Sequence, residues 1–554
     1  MPTCFAPLLA SASTGLKPID YVIMLAYVAG LLGIGVYLAR RQESTEDFFV
    51  GGRSMPWWAV GLSMLATLMS TLTYLGSPGE LIQHGIGQST SLLALPFAFL
   101  VIGFLWVPFF MRLGLTSAYE YVERRFDLPT RMLAVGLYLF LRFVWMGAIL
   151  FTASRALAQL TEDTGPAFLA KASGGALEFD HDNWLLAVLI TTGVVSTLYT
   201  ALGGIRAVIW TDVLQFTFLF SGAVVTLILV AAKTGTGPVD WWRTATAGGG
   251  EGHTLPPLAS WDMSTRVTLL WTVLGGFMWH ICTHASDQVA LQRYFTTRSA
   301  SAARRTAAVN YLADFTMAVL LAMVGMALLT YFSDTRYVTE ILPGITDPRD
   351  PRVADRIFPH FIAHGLPVGI SGLVVAAVFA VAQSSIDSGI NSTATVITVD
   401  LVARFKRSAM TDRVELRLAQ GLTLVIGAVV TATGLALTML PERYNILDVT
   451  LKTFNLALGP LGAIFMAGML MPHVGSRAVL TAGMIGTLCA VYFAFGDMLN
   501  EERGLTPFLV IPLSWLVTFT LAAFLGGLMR RPSPEQLRGL TWRDVVLGDN
   551  GVRE

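Results

Sequence analysis

Long apolar runs dominate this chain and limit what it can fold into. Runs of about 20 predominantly apolar residues, the length of a helix that crosses a bilayer, recur at about thirteen places. Apolar residues make up 54% of the 554 residues and charged residues 13%, which excludes a soluble globular protein. We therefore predict an all-α integral membrane protein with about thirteen transmembrane helices. The approximate spans are residues 20–39, 56–76, 90–111, 132–158, 184–202, 207–231, 267–286, 308–332, 367–391, 416–439, 448–471, 477–496 and 507–529.

No linker divides the chain into soluble domains. We predict a single transmembrane domain over residues 1–530 and a cytoplasmic tail over residues 531–554, too short for a kinase or another catalytic module. The first 19 residues lack the basic and apolar segments of a cleaved signal peptide, so the first span is expected to stay. Cys4, Cys282 and Cys489 have neither pair nor ligand spacing, which argues against a disulfide framework or a zinc site.

Basic residues are unevenly distributed, although 37 basic and 37 acidic residues give a formal net charge of zero. If the N-terminus is outside, most Lys and Arg fall in cytoplasmic segments, as the positive-inside rule requires, and the C-terminus is cytoplasmic. We expect a multi-pass protein of the plasma (inner) membrane, surrounded by the lipid bilayer. The net charge of zero says nothing about a nucleic-acid partner; we expect none, and no obligatory protein partner is apparent. One of the internal basic clusters contains Arg293, Arg298, Arg304 and Arg305.

Two predicted spans carry residues that interrupt helices. Residues 74–79 (YLGSPG) interrupt the second span with Gly76 and Pro78, and Gly275 and Gly276 precede the polar residues 280–288 of the seventh. One interpretation is that membrane helices simply tolerate Gly and Pro. The other is that both spans are discontinuous, and their five-span separation then predicts inverted repeats. The repeats would cover about residues 54–232 and 266–472, with peripheral spans at 20–39, 477–496 and 507–529.

The ninth span carries a stripe of oxygen-bearing side chains. Ser384, Asp387, Ser388, Asn391 and Thr395 recur at helical spacing and therefore share one face. An ionisable residue inside a membrane helix costs about 2.5–3.5 kcal/mol on insertion scales and usually faces a polar pathway or an ion. We therefore predict that this face is functional.

Three segments of the sequence resemble one transporter family. They are residues 47–53 (DFFVGGR) followed by 63–67 (SMLAT), residues 203–215 (GGIRAVIWTDVLQ), and the serine-rich stripe of the ninth span. Together they resemble the sodium:solute symporter family, over essentially all the spans. The resemblance implies a leucine-transporter-type fold, with a 5+5 inverted repeat, broken helices at spans 2 and 7, and transport by alternating access.

The resemblance also implies a principal sodium site between spans 2 and 9. Its ligands would be the backbone carbonyls of Ala66, Met69 and Val381 and the hydroxyls of Ser384 and Ser385. Neutral oxygen ligands suit a hard cation that must bind reversibly. The alternative is that the paired serines only allow close helix packing.

Some family members have a second cation site, which the resemblance places at Asp212, Ser384, Asp387 and Ser388. Asp387 replaces the usual hydroxyl, so two carboxylates would converge and could hold a cation or share a proton. The number of coupling Na⁺ ions therefore stays open at one or two. The alternative for Asp387 is an ion pair with Arg404 or Arg206.

The solute-binding residues can be proposed only by position. Sugar carriers of the family place polar ligands where this chain has Leu68, Leu72, Thr73 and Leu92, which disfavours a sugar. The second span instead resembles the branch that carries monocarboxylates, vitamins and small anions. Further candidates are Thr283, His284, Asp314 and Lys452, and less strongly His84 and His280. An Asp314/Lys452 pair would either bracket a zwitterion or neutralise itself as a structural ion pair.

The predicted function is sodium-coupled symport of a small organic solute, with a preference for a monocarboxylate or another small organic anion. Alternatives within the class are an amino-acid or other zwitterion symporter and a sugar symporter. A membrane sensor or channel on the same fold is the alternative from another class. An enzyme is not expected, because no substrate-specific motif accompanies Asp212 and Asp387.

Overall fold

The computed structural model describes most of the chain as helices. The described residues are 16–40, 42, 44–162, 164–175, 179–247, 259–265, 267–342, 345–406, 411–439, 446–500 and 505–547. Within these ranges every regular element is helical, which confirms the predicted all-α class.

The first half of the described chain contains eleven α-helices. Short 3₁₀ segments at Gly51–Arg53 and Gly85–Ala94 and a π segment at Ile102–Trp106 connect some of them. The α-helices are α1 (Pro18–Ala39), α2 (Thr45–Val50), α3 (Trp57–Leu68), α4 (Thr71–His84), α5 (Leu95–Val101), α6 (Val107–Leu113), α7 (Tyr119–Arg125), α8 (Leu128–Thr161), α9 (Gly165–Ala172), α10 (His181–Thr234) and α11 (Pro238–Thr246).

The second half is built in the same way, with π segments at Phe361–Gly365, Ile397–Val402 and Arg543–Leu547. Its α-helices are α12 (Leu269–Ser286), α13 (Gln288–Phe295), α14 (Ala300–Tyr331), α15 (Thr335–Ile341), α16 (Pro351–His360), α17 (Ile370–Val396), α18 (Ala403–Phe405), α19 (Asp412–Leu437), α20 (Ile446–Leu470), α21 (Ser476–Asn500), α22 (Pro507–Leu528) and α23 (Pro534–Leu537).

Ten helical stretches in the described ranges are long and apolar enough to cross a membrane, or eleven if α3 and α4 count as one bent span. One of them, Asn183–Thr234, contains 52 residues and covers the predicted fifth and sixth spans. It kinks at Gly204, whose φ of 55° and ψ of −158° are readily available only to glycine. A Cβ there would lie 2.7 Å from the carbonyl oxygen of Phe48, so this kink packs closely on α2. The count of thirteen spans stays a prediction.

The second span is broken, but not at the predicted residues. Met69 and Ser70 have extended backbone between α3 and α4, and the Ser70 hydroxyl caps α4 by accepting from the amide of Thr73. Pro78 lies inside α4, so placing the break at residues 74–79 was wrong. The reason is packing, since a Cβ on Gly79 would lie 3.1 Å from the carbonyl oxygen of Ala354 in α16. Gly79 thus allows close contact with α16 instead of unwinding the helix.

The seventh span is broken at Asp287, where α12 ends and α13 begins. The Asp287 carboxylate caps α13 by accepting from the amide of Val289 at 3.0 Å. The polar residues 280–288 therefore indicate the break correctly, whereas Gly275 and Gly276 lie within an unbroken helix. A Cβ on Gly275 would lie 2.5 Å from the carbonyl oxygen of Phe508, so this glycine allows α12 to approach α22.

The polar helix α17 lies at the centre of the molecule and is buried along almost its whole length. Its N-terminus is capped from another helix. Asp20 of α1 accepts hydrogen bonds from the amides of Gly369 at 2.7 Å and Gly372 at 2.8 Å through one carboxylate oxygen. Its other oxygen accepts from the amide of Lys17 at 2.8 Å. Asp20 thus joins α1 to α17.

Candidate functional site

The two serines of α17 meet the broken end of α3. The Ser384 hydroxyl donates to the carbonyl oxygens of Ala66 at 2.7 Å and Val381 at 2.9 Å. The Ser385 hydroxyl donates to the carbonyl oxygens of Thr67 at 2.9 Å and Met69 at 3.2 Å. The structure therefore brings together all five groups predicted for the principal sodium site, and adds the carbonyl of Thr67.

The break explains why these oxygens are available. The last carbonyls of a helix have no partner within that helix, and α3 ends at Leu68. Ser384 and Ser385 are 0% and 3% exposed, so water does not satisfy these carbonyls from that side. The site consists of neutral oxygens in a buried position, the ligand set that a hard monovalent cation accepts.

A second polar cluster lies next to this site, around Asp212 of α10. One oxygen of the Asp212 carboxylate accepts from Ser63 Oγ at 2.6 Å, Thr67 Oγ1 at 3.2 Å and Arg293 Nη2 at 3.0 Å. The other oxygen, Oδ1, has no hydrogen-bond partner in the described structure. Asp212 is 0% exposed and Arg293 is 1% exposed, so this is a fully buried ion pair.

Arg293 belongs to the same buried cluster and was not among the predicted site residues. Its guanidinium donates to Ser63 Oγ at 3.0 Å and Ser388 Oγ at 2.5 Å, and also to Thr67 Oγ1. Its position after the seventh span predicts a place in the cytoplasmic basic cluster. The break at Asp287 instead turns the short helix α13 inward. The sequence feature that indicates this turn is Asp287, which caps the polar helix α13.

The hydrogen bonds of Asp387 match neither the predicted cation site nor the predicted ion pair with an arginine. Its carboxylate accepts from the Tyr199 hydroxyl at 2.5 Å and from the Ser388 hydroxyl at 3.1 Å. The alternative pairing with an arginine was wrong, because Arg404 binds Glu123 at 2.8 Å and Arg206 binds Asp47 at 2.7 Å.

The predicted second cation site is therefore only partly assembled. Ser388 links Asp387 to the Asp212 cluster, but the Ser384 hydroxyl is bonded to carbonyls of the first site. The guanidinium of Arg293 lies between Asp212 and Ser388, where a second cation was predicted. Two carboxylates and one guanidinium share this buried cluster.

The C-terminal part of the polar stripe on α17 packs against α13. Gln292 of α13 donates to Asn391 Oδ1 at 2.9 Å, Thr395 Oγ1 at 3.0 Å and the carbonyl of Phe49 at 2.6 Å. Asn391 and Thr395 thus contact α13. Close by, Arg142 of α8 forms a buried ion pair with Asp287 at the seventh-span break.

A cavity of about 260 Å³ lies beside the first site, between α4, α12 and α14. Of the predicted solute-binding residues, Leu68, Thr73 and Asp314 line it, and so do Leu92 and His280. The side chain of Leu72 lies outside the described part of the structure. The remaining lining residues are Leu65, Met69, Ser77, Leu81, Ser89, Ser91, Leu95, Gly276, Trp279, Asn310, Ala318, Leu321 and Ala322.

Three predicted solute contacts lie away from the cavity lining. Thr283 and His284 are buried in α12, and His284 Nδ1 is 2.8 Å from the Tyr294 hydroxyl. Lys452 is buried in α20, 7% exposed. The Asp314 carboxylate lies 3.9 Å from His280 Nε2, and no ion pair joins it to Lys452 within the described residues. His84 pairs with Glu80 at 3.0 Å, one turn earlier in α4.

Two discontinuous helices beside an intact polar helix, inside a bundle of long apolar helices, define a leucine-transporter-type membrane carrier. The chain belongs to the sodium:solute symporter family, whose model matches residues 48–486.

Relatives agree with this assignment. The chain is 27% identical to the sodium/sialic acid symporter of Proteus mirabilis over 87% of its own length and 90% of the relative's. It is also 27% identical to human sodium-coupled monocarboxylate transporter 2, over 86% of this chain and 72% of the transporter.

Solved structures show the same fold. A Na⁺-coupled sialic acid symporter in a substrate-bound outward-open state matches with a TM-score of 0.77 and 25% identity, covering 93% of this chain and 99% of the symporter. A nucleobase–cation symporter in a closed conformation matches with a TM-score of 0.56 and 13% identity, covering 89% of this chain and 97% of the other, and indicates the fold alone.

Proposed function

We propose that this protein is a secondary active transporter that uses the sodium gradient to import a small organic solute by alternating access. The observation that carries the proposal is the convergence of the Ser384 and Ser385 hydroxyls on four backbone carbonyls at the broken end of α3 and within α17, at 2.7–3.2 Å. Family membership and sodium-coupled relatives support the same conclusion.

Met69 connects the ion site to the solute cavity. Its carbonyl accepts from Ser385, and the same residue lines the cavity. A sodium ion that uses this carbonyl would hold the break between α3 and α4 in one conformation and so fix that wall of the cavity. Sodium and solute would then bind cooperatively, which is the requirement for symport.

We propose one coupling sodium ion rather than two. Arg293 places a permanent positive charge between Asp212 and Ser388, where a second ion would bind. For a tenfold sodium gradient and 100 mV, one ion supplies about 3.7 kcal/mol, enough for about 500-fold accumulation of a neutral solute. A monovalent anion carried with one sodium would be electroneutral and would use only the concentration term.

The substrates named for the relatives, sialic acid and monocarboxylates, are acids, and they support a small solute that carries a carboxylate. A sugar is less compatible, because Leu68 and Leu92 line the cavity where sugar hydroxyls would need partners. We propose the plasma membrane as the location, with the N-terminus outside and the C-terminus in the cytoplasm, on the positive-inside distribution of basic residues.

Uptake by proteoliposomes tests this function. Purified protein should accumulate radiolabelled small acids and amino acids only with an inward sodium gradient, and potassium should not replace sodium. Sodium-independent uptake would contradict the proposal. Steady single-channel currents in planar bilayers would favour the channel alternative instead.

A further inference from the structure

We propose that the transported solute carries a protonated primary or secondary amine, which Asn310 and Asp314 bind in the cavity. This inference rests on the proposed function and specifies its solute.

Asn310 and Asp314 are four residues apart on α14 and therefore lie on the same face, one turn apart. Both line the cavity. Asn310 is 2% exposed, and its carbonyl oxygen Oδ1 is buried with no hydrogen-bond partner in the described structure. A buried amide oxygen without a partner is unfavourable, and an N–H donor from a ligand would satisfy it.

Asp314 supplies the charge for the same donor group. Its side chain is 28% exposed, and its carboxylate lies 3.9 Å from His280 Nε2, beyond hydrogen-bond distance. The His280 ring is itself buried, and its Nδ1 has no partner in the described residues. The Asp314 carboxylate is thus open to a ligand, and an ammonium group could donate to both Asp314 and Asn310.

The remaining walls offer no fixed positive charge to a solute. Among the lining residues, Asp314 and His280 are the ones that can carry a charge, so no lysine or arginine faces a solute carboxylate there. A simple monocarboxylate would therefore meet a carboxylate without a fixed positive charge opposite it. Leu65, Leu68 and Leu321 provide apolar walls for a short hydrocarbon body.

The cavity volume of about 260 Å³ restricts the solute to a small molecule, such as one with a short chain or a single ring. The hydroxyls of Thr73 and Ser77 lie on α4 and also line the cavity, where they can bind a second polar group of the solute. The solute class is therefore a small amine, which includes the amino acids when that second group is a carboxylate.

A matched set of three-carbon and five-membered-ring compounds tests the inference. The set contains propylamine, alanine and propionate, and pyrrolidine, proline and cyclopentanecarboxylate. Thermal unfolding of the purified full chain is measured with each compound in sodium and in potassium. We expect amine-bearing compounds to raise the unfolding temperature in sodium and the two compounds that lack nitrogen to leave it unchanged.

Two variants test whether Asp314 is responsible for the stabilisation by amines. Asp314→Asn should weaken the stabilisation by amine-bearing compounds by about tenfold or more in apparent affinity, as expected for the loss of a charge-assisted hydrogen bond. The same variant should keep its stabilisation by sodium alone, which shows that it is folded. Asp240→Asn, at an exposed aspartate of α11, is the matched control and should respond like the unmodified protein.

The outcomes separate the two proposals. If sodium alone gives no stabilisation over potassium, the proposed function fails. If sodium stabilises the protein but no amine in the set adds to it, or if propionate or cyclopentanecarboxylate responds instead, the amine inference is overturned and sodium coupling stands. A response to amines that is unchanged in Asp314→Asn also overturns the assigned site.

Discussion

Arg293 and Asp212 form a buried ion pair at 3.0 Å, between the short helix that follows the seventh-span break and the kinked helix α10. Neither side chain is more than 1% exposed. The pair lies next to the serines of the proposed sodium site. The Thr67 hydroxyl bonds both members of the pair, while the Thr67 carbonyl accepts from Ser385. Thr67 therefore links the charge balance of the Asp212 cluster to the geometry of the proposed ion site.

Removal of Arg293 should be more harmful than removal of the whole pair. Arg293→Met leaves Asp212 buried without a countercharge, and we expect a loss of about 3–5 kcal/mol in stability. Arg293→Met combined with Asp212→Asn should recover a large part of that loss. The measurement is the thermal unfolding of detergent-purified variants.

The partly exposed pair Arg206–Asp47 provides the matched control for this cycle. Arg206→Met should cost about 1 kcal/mol or less, because solvent screens both charges. A double variant of the buried pair that is as unstable as Arg293→Met would contradict the ion-pair interpretation.

Loss of the Ser385 hydroxyl should weaken sodium binding. Ser385→Ala removes one predicted ligand and leaves the carbonyls of Thr67 and Met69 without their donor. We expect the sodium concentration for half-maximal uptake to rise about tenfold, corresponding to about 1.4 kcal/mol. The measurement is the initial uptake rate in proteoliposomes at varied external sodium.

Ser371→Ala is the control for this prediction. Ser371 lies in the same helix and is equally buried, but its hydroxyl faces the carbonyls of Leu366 and Pro367, far from the break in α3. Equal effects of the two substitutions on sodium dependence would argue for a general packing role of the serines.

Two glycines of α19 should respond oppositely to the same substitution. A Cβ on Gly427 would overlap the side chain of Thr197 in α10, whereas a Cβ on Gly421 has open space around it. Gly427→Ala should destabilise by about 1–3 kcal/mol through overpacking. Gly421→Ala should be neutral or stabilising by up to about 1 kcal/mol, since alanine favours the helix. Unfolding temperatures of the two variants give the comparison, and a neutral Gly427→Ala would disprove the close contact.

The stability of the protein should fall in acid partly through Glu123, which lies in α7 between two spans. Hydrogen bonds from Arg404, with a further contribution from Arg131, lower the pKa of Glu123 below its ordinary value of 4.5. A lowered folded-state pKa gives stabilisation that is present above the ordinary value and is lost as the pH falls through 4.5 to the lowered value. Unfolding temperatures of the unmodified protein and Glu123→Gln between about pH 3 and pH 7 test this, and their difference should shrink toward the acid end.

The helical class and most of the long spans could be predicted from the sequence, because a helix needs about 20 apolar residues to cross a bilayer. The ninth-span stripe and the Ser384/Ser385 pair were also recognisable, since polar groups in such a run are costly. The breaks were harder to locate. Gly76 and Pro78 favour unwinding locally, yet both lie inside the helix α4, which packs on α16 at Gly79. The real break at Met69 and Ser70 contains no strong helix breaker.

Arg293 shows a second limit of sequence reasoning. Charge distribution alone places an arginine after a span in the aqueous phase, and only the inward turn of α13 brings it to Asp212. The Asp314/Lys452 pairing was wrong for a similar reason. Helix register predicts which residues share a face of one helix, but contact between helices depends on how the bundle is assembled.

The capping of α17 by Asp20 has a mechanical consequence. A first helix held only by lipid and apolar contact could stay still while the carrier changes shape. Here Asp20 holds the amides of Gly369 and Gly372, and a Cβ on Gly372 would lie 2.5 Å from the Asp20 backbone. The N-terminal end of the helix that carries both serines is therefore coupled to α1, so a tilt of α17 at this end would move α1 with it. A spectroscopic probe attached to α1 would report such a tilt.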